Sequence, residues 1–453
     1  MRFAAQFYDR RKKQMNFFTG LLFKIIDGFF SVVIAAMSIF CPIGKEPPKT
    51  PDDFTPVLRF AVCSDVHLSG EDSDPHAERY ATFFEDTYAY AEKQAYKNVD
   101  AFVVAGDMTG GGRDAEYAKF VSLNEEHLRD GSQLITVLGN HEFIAYRDED
   151  PTVGYAKYKE YMKRDVDTDN VINGYHIVGV SYADDAKTFS GKDKWLREVL
   201  NNARSEDSAK PIFVIQHPAP FASIYGSVNW GDPTTGFVYP AYPQVMTFSG
   251  HSHYAANDPR SINQTSFTAV GTGCLAASMV NIGYIEGDCD APGDSGTFWI
   301  VEADANGNVR LQLYDAVTHQ FFDKNEYYIS DITKRSAHYY NWNNLKSLDT
   351  TPAFPGGAAA SAETDNDGNM ILSFPNAESY WGTESYQIEL SGAGKFSDIV
   401  ISNYVRVNDN VMKVNAGELP NGKYEYKITP VSPYAKTGRA LTGSFEYVGL
   451  VLK

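Results

Sequence analysis

Residue types that ligate metals recur directly after short apolar stretches of this sequence. Each stretch has the length and the β-branched and aromatic content of a buried strand. Five of the ten histidines occupy such positions. In chain order the residues are Asp65 and His67 after "FAVCS", Asp107 after "AFVVAG", Asn140, His141 and Glu142 after "ITVLG", His217 after "FVIQ", and His251 and His253 after "MTFSG". Core packing does not explain polar side chains at five strand ends, so we interpret them as parts of one site.

These residue types are suited to a two-metal hydrolytic site. Imidazole and carboxylate are ligands for divalent first-row metals. The carboxyl ends of strands in an α/β sheet converge on one crevice, which would bring the side chains together. Two metal ions about 3.5–4 Å apart can stabilise both the attacking and the leaving oxygen of a phosphoryl transfer. Such a site needs separate ligands for each ion, a bridging carboxylate and a nearby histidine that protonates the leaving oxygen.

The elements that would position these residues alternate between strands and helices. Helical segments are predicted over 75–96, 113–128, 153–164 and 193–203, with apolar strand-like runs between them. This alternation predicts a layered α/β domain. Residues 296–317 then predict two strands joined by an Asn-Gly turn, which is an antiparallel hairpin.

The C-terminal part of the chain changes to short alternating strands with no helical period. This spacing predicts a β-sandwich, which resembles a fibronectin type III module. The stretch 363–370, "ETDNDGNM", has the composition of a calcium loop, but Phe374 stands where the bidentate glutamate is needed, so a turn is predicted. We divide the chain into a basic region with a hydrophobic signal or anchor segment (1–44), a proline-rich linker (45–56), an α/β domain (57–330), a second linker (331–362) and the β-sandwich (363–453).

The strand-end residues occur in a recognisable order. The series Asp65-x-His67, Gly106-Asp107, Gly139-Asn140-His141-Glu142, His217 and Gly250-His251-Ser252-His253 resembles the signature of the calcineurin-like metallophosphoesterases. One block alone carries little information, but all five are present in the family's order, within a match of about residues 57–317. The resemblance implies a four-layer α/β fold, a central β-sandwich flanked by helices, to which this chain adds its C-terminal all-β domain.

The resemblance also implies a role for each matched residue. Asp65, His67 and His253 would bind one metal ion, Asn140, His217 and His251 would bind the second, and Asp107 would bridge the two. His141 resembles the family's non-ligand histidine, which contacts the phosphate and acts as a general acid, and Glu142 would orient it. The implied cofactors are two divalent ions from among Fe, Mn, Zn and Ni. The implied reaction is hydrolysis of a phosphomonoester or phosphodiester, including substrates of the nucleotide type.

A second interpretation is a non-catalytic surface binding or scaffold protein built on the same fold, with an adhesive β-sandwich. Such a protein is expected to have lost metal ligands, and all seven are present here. A β-lactamase-like metallohydrolase is excluded, because its HxHxDH motif would need an aspartate where Ala255 stands.

The first 44 residues predict export or membrane anchoring. A basic cluster at 10–13 precedes an apolar stretch whose cleanest part, 28–40, has the length of a signal-peptide hydrophobic region. Extended back to Phe17, the stretch becomes long enough to span a bilayer, although Lys24 and Asp27 interrupt it. Basic residues before the apolar stretch favour a catalytic domain outside the cytoplasm. The alternative is a buried amphipathic helix.

Net charge and cysteine content argue against certain classes of binding partner and of small-domain scaffold. A formal net charge of −18 argues against broad nucleic-acid binding. The four cysteines include no CxxC pair, which argues against a zinc finger or a disulfide scaffold. Cys274 and Cys289 either form one bridge in an oxidising compartment or remain free thiols. The sequence does not predict the oligomeric state.

Three features beside the predicted ligands leave two interpretations open. The aromatic, glycine-rich stretch 221–243 forms either a wall that contacts the substrate or a packed structural loop. In the stretch 255–273, Arg260 either reaches a second phosphate or pairs with Asp258 in a turn. His76 either lines the cleft or is an ordinary histidine outside the site.

Overall fold

The computed structural model describes residues 46–183, 188–280, 289–290, 294–407 and 410–449, with backbone alone at 280, 289 and 290. The predicted signal or anchor segment, 1–44, lies outside these ranges. Among the described residues no helix is both long and apolar enough to cross a membrane. The described chain divides into two compact units. The first contains residues 46–279 and 294–345, and the second contains the described residues from 346 to 449.

The described chain contains fourteen strands before residue 330. It also contains seven helices and four short 3-10 helices. The strands are β1 (Pro56–Cys63), β2 (Ala101–Val104), β3 (Gln133–Thr136), β4 (Thr168–Ile172), β5 (Tyr175–Val180), β6 (Ile212–Pro218), β7 (Val245–Gly250), β8 (Ile262–Gln264), β9 (Thr268–Gly271), β10 (Met279–Val280), β11 (Cys289–Asp290), β12 (Thr297–Asp304), β13 (Val309–Asp315) and β14 (Gln320–Ile329). The helices are α1 (Pro75–Glu92), α2 (Asp114–His127), α3 (Thr152–Met162), α4 (Asp193–Glu206), α5 (Ser227–Trp230), α6 (Pro233–Gly236) and α7 (Trp342–Leu348). The 3-10 helices are His141–Phe143, Tyr239–Ala241, Pro259–Ser261 and Arg335–Ala337.

The first unit is built on two six-stranded mixed sheets. The order in the first sheet is β14-β13-β12-β1-β2-β3, and in the second it is β4-β5-β6-β7-β9-β8. Strands β1, β2 and β3 are parallel, and β12, β13 and β14 extend the sheet antiparallel. In the second sheet β5, β6, β7 and β9 are parallel, with antiparallel strands at both edges. Each sheet therefore has several carboxyl strand ends along one edge.

The two sheets pack face to face through large aromatic side chains. The ring of Phe60 on β1 lies 5.0 Å from that of Phe213 on β6 and 5.9 Å from that of Phe248 on β7. All three side chains are fully buried. Helices α1, α2 and α3 cover the outer face of the first sheet, and α4 covers that of the second. This is the four-layer α/β arrangement expected from the sequence.

Helix α1 shows how local sequence produces this packing. Asp74 accepts a hydrogen bond from the backbone N–H of His76 and caps the helix, and Pro75 occupies its first turn. Tyr80, Phe83 and Phe84 then recur at helical spacing and are fully buried. The rings of Phe83 and Phe84 pack against that of Phe102 on the first sheet, and the ring of Phe83 also packs edge-on against that of Phe298.

The second unit contains seven strands in two antiparallel sheets, as predicted for the C-terminal domain. They are β15 (Ser361–Thr364), β16 (Met370–Pro375), β17 (Ser385–Gly392), β18 (Lys395–Ile401), β19 (Val411–Asn415), β20 (Gly422–Val431) and β21 (Leu441–Tyr447). The sheet orders are β15-β16-β19 and β18-β17-β20-β21. Buried residues from both sheets share one core, including Leu372, Tyr386 and Ile428.

The stretch with the composition of a calcium loop is a hairpin turn between β15 and β16. One carboxylate oxygen of Asp365 accepts hydrogen bonds from the backbone N–H groups of Asp367 and Asn369, and the other accepts from the Asn369 amide. Asp304 makes the same three kinds of bond in the turn between β12 and β13. A recurrent aspartate-stabilised turn thus explains this composition.

Both segments predicted as linkers contain packed structure. Residues 46–55 pack on the first unit, where Thr50 donates a hydrogen bond to Glu326 and the ring of Phe54 lies 5.9 Å from that of Tyr328. The segment 331–362 includes a 3-10 helix and α7, and its buried Tyr340 accepts a hydrogen bond from the backbone of Gln264. These pieces are too short for a periodic pattern, so the sequence did not reveal them.

We predict that Phe60→Ala lowers the free energy of unfolding of the first unit by about 3–5 kcal/mol, because it leaves a cavity between the two sheets. Urea unfolding followed by circular dichroism and tryptophan fluorescence measures this change. The control is Val171→Ala, at a half-exposed position of β4, which should change stability by less than about 0.5 kcal/mol. Equal effects of the two variants would contradict the importance of this contact.

Candidate metal centre

All seven predicted metal ligands lie at or just beyond the carboxyl ends of parallel strands. Asp65 and His67 follow β1, Asp107 follows β2 and Asn140 follows β3, so four ligands come from the first sheet. The second sheet supplies the other three. They are His217, the next-to-last residue of β6, and His251 and His253, which follow β7.

The structure brings these residues into two adjoining clusters. One contains Asp65, His67, Asp107 and His253, and the other contains Asp107, His217 and His251. Within each cluster the candidate ligand atoms all lie within 4.8 Å of one another. The amide oxygen of Asn140 lies 3.1 Å from Nε2 of His217, which places it beside the second cluster. Asp107 is common to both clusters, as the bridging role requires.

The donor atoms have the mutual spacing of ligands around a cation. The Nε2 atoms of His67 and His253 are 3.0 Å apart, and His253 Nε2 lies 3.2 Å from Oδ1 of Asp65. In the second cluster, His217 Nε2 lies 3.0 Å from Oδ2 of Asp107. Ligands about 2.1 Å from a metal and at right angles to each other are about 3 Å apart. The donor set therefore fits two divalent ions.

The two buried carboxylates of the clusters, Asp65 and Asp107, need positive charge beside them. Burial by itself raises the pKa of Asp65, but His253 and His217 more than offset it and lower this pKa to about 2. The same competition, with His217 as the main opposing group, holds the pKa of Asp107 well below its usual range. Burial lowers the pKa of His217, yet Asp107 and Asp65 raise it to about 9. The carboxylates thus draw a proton onto His217, whereas burial lowers the pKa of both His67 and His251 to about 4. A coordinated cation would supply the positive charge that the carboxylates need.

Five of the seven predicted ligands have left-handed backbone conformations. The φ angles are 53° at Asp65, 52° at His67, 53° at Asp107, 72° at His251 and 57° at His253. Each such residue costs about 1–3 kcal/mol when it is not glycine. This cost is incurred at the ends of three different strands that meet at one place. Strain concentrated in this way is typical of a functional site, where side-chain direction takes priority over backbone preference.

Gly250 leaves the space that Asp65 needs. A Cβ at Gly250 would lie 2.2 Å from Oδ2 of Asp65 and equally close to Oγ of Ser64. These atoms belong to the end of β1 in the other sheet. The glycine that precedes the two histidines therefore allows the ligand-bearing loops of the two sheets to approach each other.

His141 lies at the edge of the first cluster without joining either. Its ring packs at 4.3 Å from that of His67, and its Nε2 lies 3.9 Å from Oδ2 of Asp107. Nδ1 lies 2.9 Å from the carbonyl oxygen of Gly110, which holds the ring in place. The side chain is 30% exposed, so its Nε2 edge can reach a bound substrate.

Glu142 is fully buried and holds the loops that carry two ligands. One oxygen accepts hydrogen bonds from the backbone N–H groups of Asp107 and Gly139, at 3.1 and 2.8 Å. The other accepts from the N–H and the hydroxyl of Thr109, both at 3.0 Å. Burial and the nearby Asp107 raise the pKa of Glu142 to about 7. The family resemblance implied that Glu142 orients the ring of His141, whereas its hydrogen bonds run to the segments that follow β2 and β3.

One further group lies beside the site and was not found from the sequence. The thiol of Cys274 forms a third group of possible metal ligands with His67 and His253. It is buried and free, which answers the open question about a bridge to Cys289. Cys274 follows β9, so the rule that selected the other ligands, polar groups after parallel strands, could have selected it.

Arg260 and His76, whose roles the sequence left open, both have defined partners in the structure. Arg260 forms a two-pronged ion pair with Asp258, with N–O distances of 2.7 and 2.6 Å, which matches the turn interpretation. The guanidinium also lies 3.9 Å from the centre of the Tyr225 ring. His76 Nδ1 lies 2.9 Å from the carbonyl oxygen of His67 and so contacts the backbone of the ligand loop.

Comparison with known proteins agrees with this geometry. Residues 58–255 match the family described as calcineurin-like phosphoesterase. Residues 58–255 therefore form the calcineurin-like phosphoesterase domain predicted from the sequence. This domain type is found in phosphoester hydrolases, and together with the clustered His and Asp side chains it implies a dinuclear divalent metal centre. No curated protein sequence matches the chain.

Two solved structures align with parts of the chain, both at TM-scores below 0.5. One is a purple acid phosphatase, PPD1, isolated from yellow lupin (Lupinus luteus) seeds, with 13% identity and a TM-score of 0.44. That similarity covers 66% of this chain and 56% of the lupin chain. The other is the chitinase ChiA74 from Bacillus thuringiensis, with 9% identity and a TM-score of 0.15, over 85% of this chain and 64% of the chitinase. The chain thus spans less than two thirds of either protein.

We expect Gly250→Ala to lose the metal ion of the first cluster, because the added methyl group displaces the Asp65 carboxylate. Elemental analysis of the purified protein measures bound metal per chain, and circular dichroism checks the fold. The matched control is Gly356→Ala, since a Cβ there would meet no atom within 4 Å. Full metal content in Gly250→Ala would show that Asp65 is not held as described.

Glu142→Gln should weaken metal binding by about 10–100-fold, because an NH₂ group replaces one acceptor oxygen and opposes buried N–H donors. Competition with a chelator measures the affinity. Glu116→Gln is the control, because Glu116 is also buried and bonds to loop N–H groups but contacts no ligand-bearing residue. A similar loss in both variants would mean that the effect is general destabilisation.

Proposed function

We propose that this protein hydrolyses phosphoesters at a dinuclear metal centre, with His141 as the general acid. The observation that carries the proposal is the set of seven ligands, drawn from both sheets and held largely on strained backbone around one shared carboxylate. No structural role of a loop requires this combination. The family match supports phosphoester chemistry, and the substrate and the role of each residue are our proposal.

The protein's own residues divide into holding and reacting groups. Asp65, His67 and His253 would hold one ion, and Asn140, His217 and His251 would hold the other, with Asp107 between them. When bound, the two ions supply Lewis-acid activation of the phosphoryl group and lower the pKa of bound water. Glu142 acts as a positioning residue, because its hydrogen bonds fix the loops of Asp107 and Asn140 relative to each other.

His141 is placed to move a proton to the leaving oxygen. With Nδ1–H donating to the carbonyl of Gly110, the imidazolium form carries its second proton on Nε2, the edge that lies 3.9 Å from Asp107. As the P–O bond breaks, this proton transfers to the departing alkoxide, and the ring becomes neutral. The backbone N–H of His141 donates to Oδ1 of Asp107 at 2.8 Å, which ties the acid to the shared carboxylate.

The test is hydrolysis by the full chain, with Mn²⁺ added, of a p-nitrophenyl phosphomonoester and the matching phosphodiester, alongside measurement of metal content. We expect metal-dependent turnover of at least one ester, and the preference assigns the substrate to one of the two classes. Asp107→Asn should lose both bound metal and turnover, because it removes the shared ligand.

The acid is tested by changing the leaving group. His141→Ala should keep its metal and lose about 10²–10⁴-fold in kcat for an alkyl leaving group, which needs a proton. The loss should be much smaller for p-nitrophenolate, which leaves without one. His319→Ala, at an exposed histidine, is the control. Equal losses for both leaving groups would remove the acid role, and a folded chain that binds no metal would favour the non-catalytic scaffold.

A further inference from the structure

An aromatic segment adjoins the second cluster directly. This segment is the stretch 221–243, which follows β6, the strand that carries His217, and includes α5 and α6. Trp230, the last residue of α5, packs against the ligand His251, with ring centres 5.6 Å apart and planes at 82°. The indole is nevertheless 41% exposed. A large aromatic side chain that touches a metal ligand and is also open to solvent is available to contact a substrate.

The segment is anchored without help from Trp230. Val238 and Tyr239 are buried in the core of the second sheet, with 1% and 0% exposure. Asp232 donates its backbone N–H to Ala219 and accepts from that of Phe221, at 2.8 and 2.9 Å. These contacts close the segment onto the end of β6, so the exposed indole is not needed to hold it.

A second contact fixes the segment relative to the ligand loop. Gly226, just before α5, has a φ of 79°, and a Cβ there would lie 2.6 Å from the ring of Tyr254 and 3.1 Å from Cβ of Ser252. Ser252 stands between His251 and His253. The base of α5 therefore lies directly against the loop that carries two ligands, and Trp230 has a defined position beside the site.

The general acid and Trp230 pack against predicted ligands of different clusters. His141 packs on His67, a ligand of the first cluster, whereas Trp230 packs on His251, a ligand of the second. The leaving group, which receives the proton of His141, departs from the phosphorus on the side of His141. A substituent that lies near Trp230 is therefore not the leaving group, and it stays bonded to the phosphorus. A phosphomonoester has only the departing substituent, whereas a phosphodiester has both.

We propose that Trp230 forms an aromatic subsite for the retained substituent of a phosphodiester, that this substituent is an aromatic ring, and that Phe221 is a second exposed ring of the same segment. Phe221 is 39% exposed, and its backbone is bonded to Asp232, two residues from Trp230. Stacking on an indole favours a flat ring over a small alkyl group. This inference rests on the proposed function and narrows its substrate class.

The test uses two inert monoanions that lack any ester bond, benzyl(methyl)phosphinate and dimethylphosphinate. In the first, a P–CH₂ group replaces the P–O of the retained aryl ester. Calorimetry on the metal-loaded full chain gives both Kd values. We expect the benzyl compound to bind about tenfold more tightly, and Trp230→Ala to bring the two affinities close together. Trp230→Phe should keep much of the preference, and Phe237→Ala, at an 80% exposed ring farther along the segment, should keep all of it.

The outcomes separate the alternatives. An unchanged affinity for dimethylphosphinate and unchanged metal content in Trp230→Ala support the subsite, because His251 is then still in place. Equal affinities in the unmodified chain, or a preference that survives Trp230→Ala, overturn it. A parallel loss of both ligands together with metal would also overturn it, since Trp230 would then only position His251. Phosphinates are not hydrolysed, so the ratio is independent of turnover, and a failed hydrolysis assay counts against the proposed function alone.

Discussion

The structure depends on keeping two buried carboxylates side by side. Asp65 and Asp107 are 0% and 1% exposed and face the same group of imidazoles. Burying such charges is costly unless each is compensated by a cation and by hydrogen bonds. The surrounding features meet this need. Backbone N–H groups of His251 and His141 donate to the two carboxylates, and the imidazoles lie within contact distance. The left-handed backbone aims the ligands inward, and the donor set suits two metal ions.

The paired sheets provide the rigid frame for this arrangement. Each cluster takes ligands from both sheets, so the distance between the sheets is also a distance within the metal centre. The interlocked rings of Phe60, Phe213 and Phe248 fix that distance. Close packing of this kind resists small displacements, which is the property that a coordination site needs from its scaffold.

Much of this was predictable from the sequence, because hydrophobic periodicity and strand-end chemistry are local signals. The helix predicted over 113–128 is found at Asp114–His127, and every predicted ligand lies where a strand ends. The face-to-face pairing of the sheets could not be derived from periodicity, which shows that a strand is buried but not against what. Three of the four hydrogen bonds of Glu142 come from backbone N–H groups, which every residue except proline has, so residue types do not reveal them. The contact of Trp230 with His251 depends on how a glycine-rich segment folds back, and the segment alone suggested two alternatives.

The wide spacing of the ligands along the chain has a consequence for biosynthesis. His67 and His253 are separated by 186 positions, and the ligands of each cluster come from strands of different sheets. A nascent chain therefore carries unmatched acidic strand ends until β7 has been synthesised and docked. Contacts this distant in sequence form late and slowly. An ion that binds only the finished arrangement would add its binding free energy to the stability of the folded state. Under the proposed function, maturation of this unit would thus be tied to the metal supply of the compartment in which folding is completed.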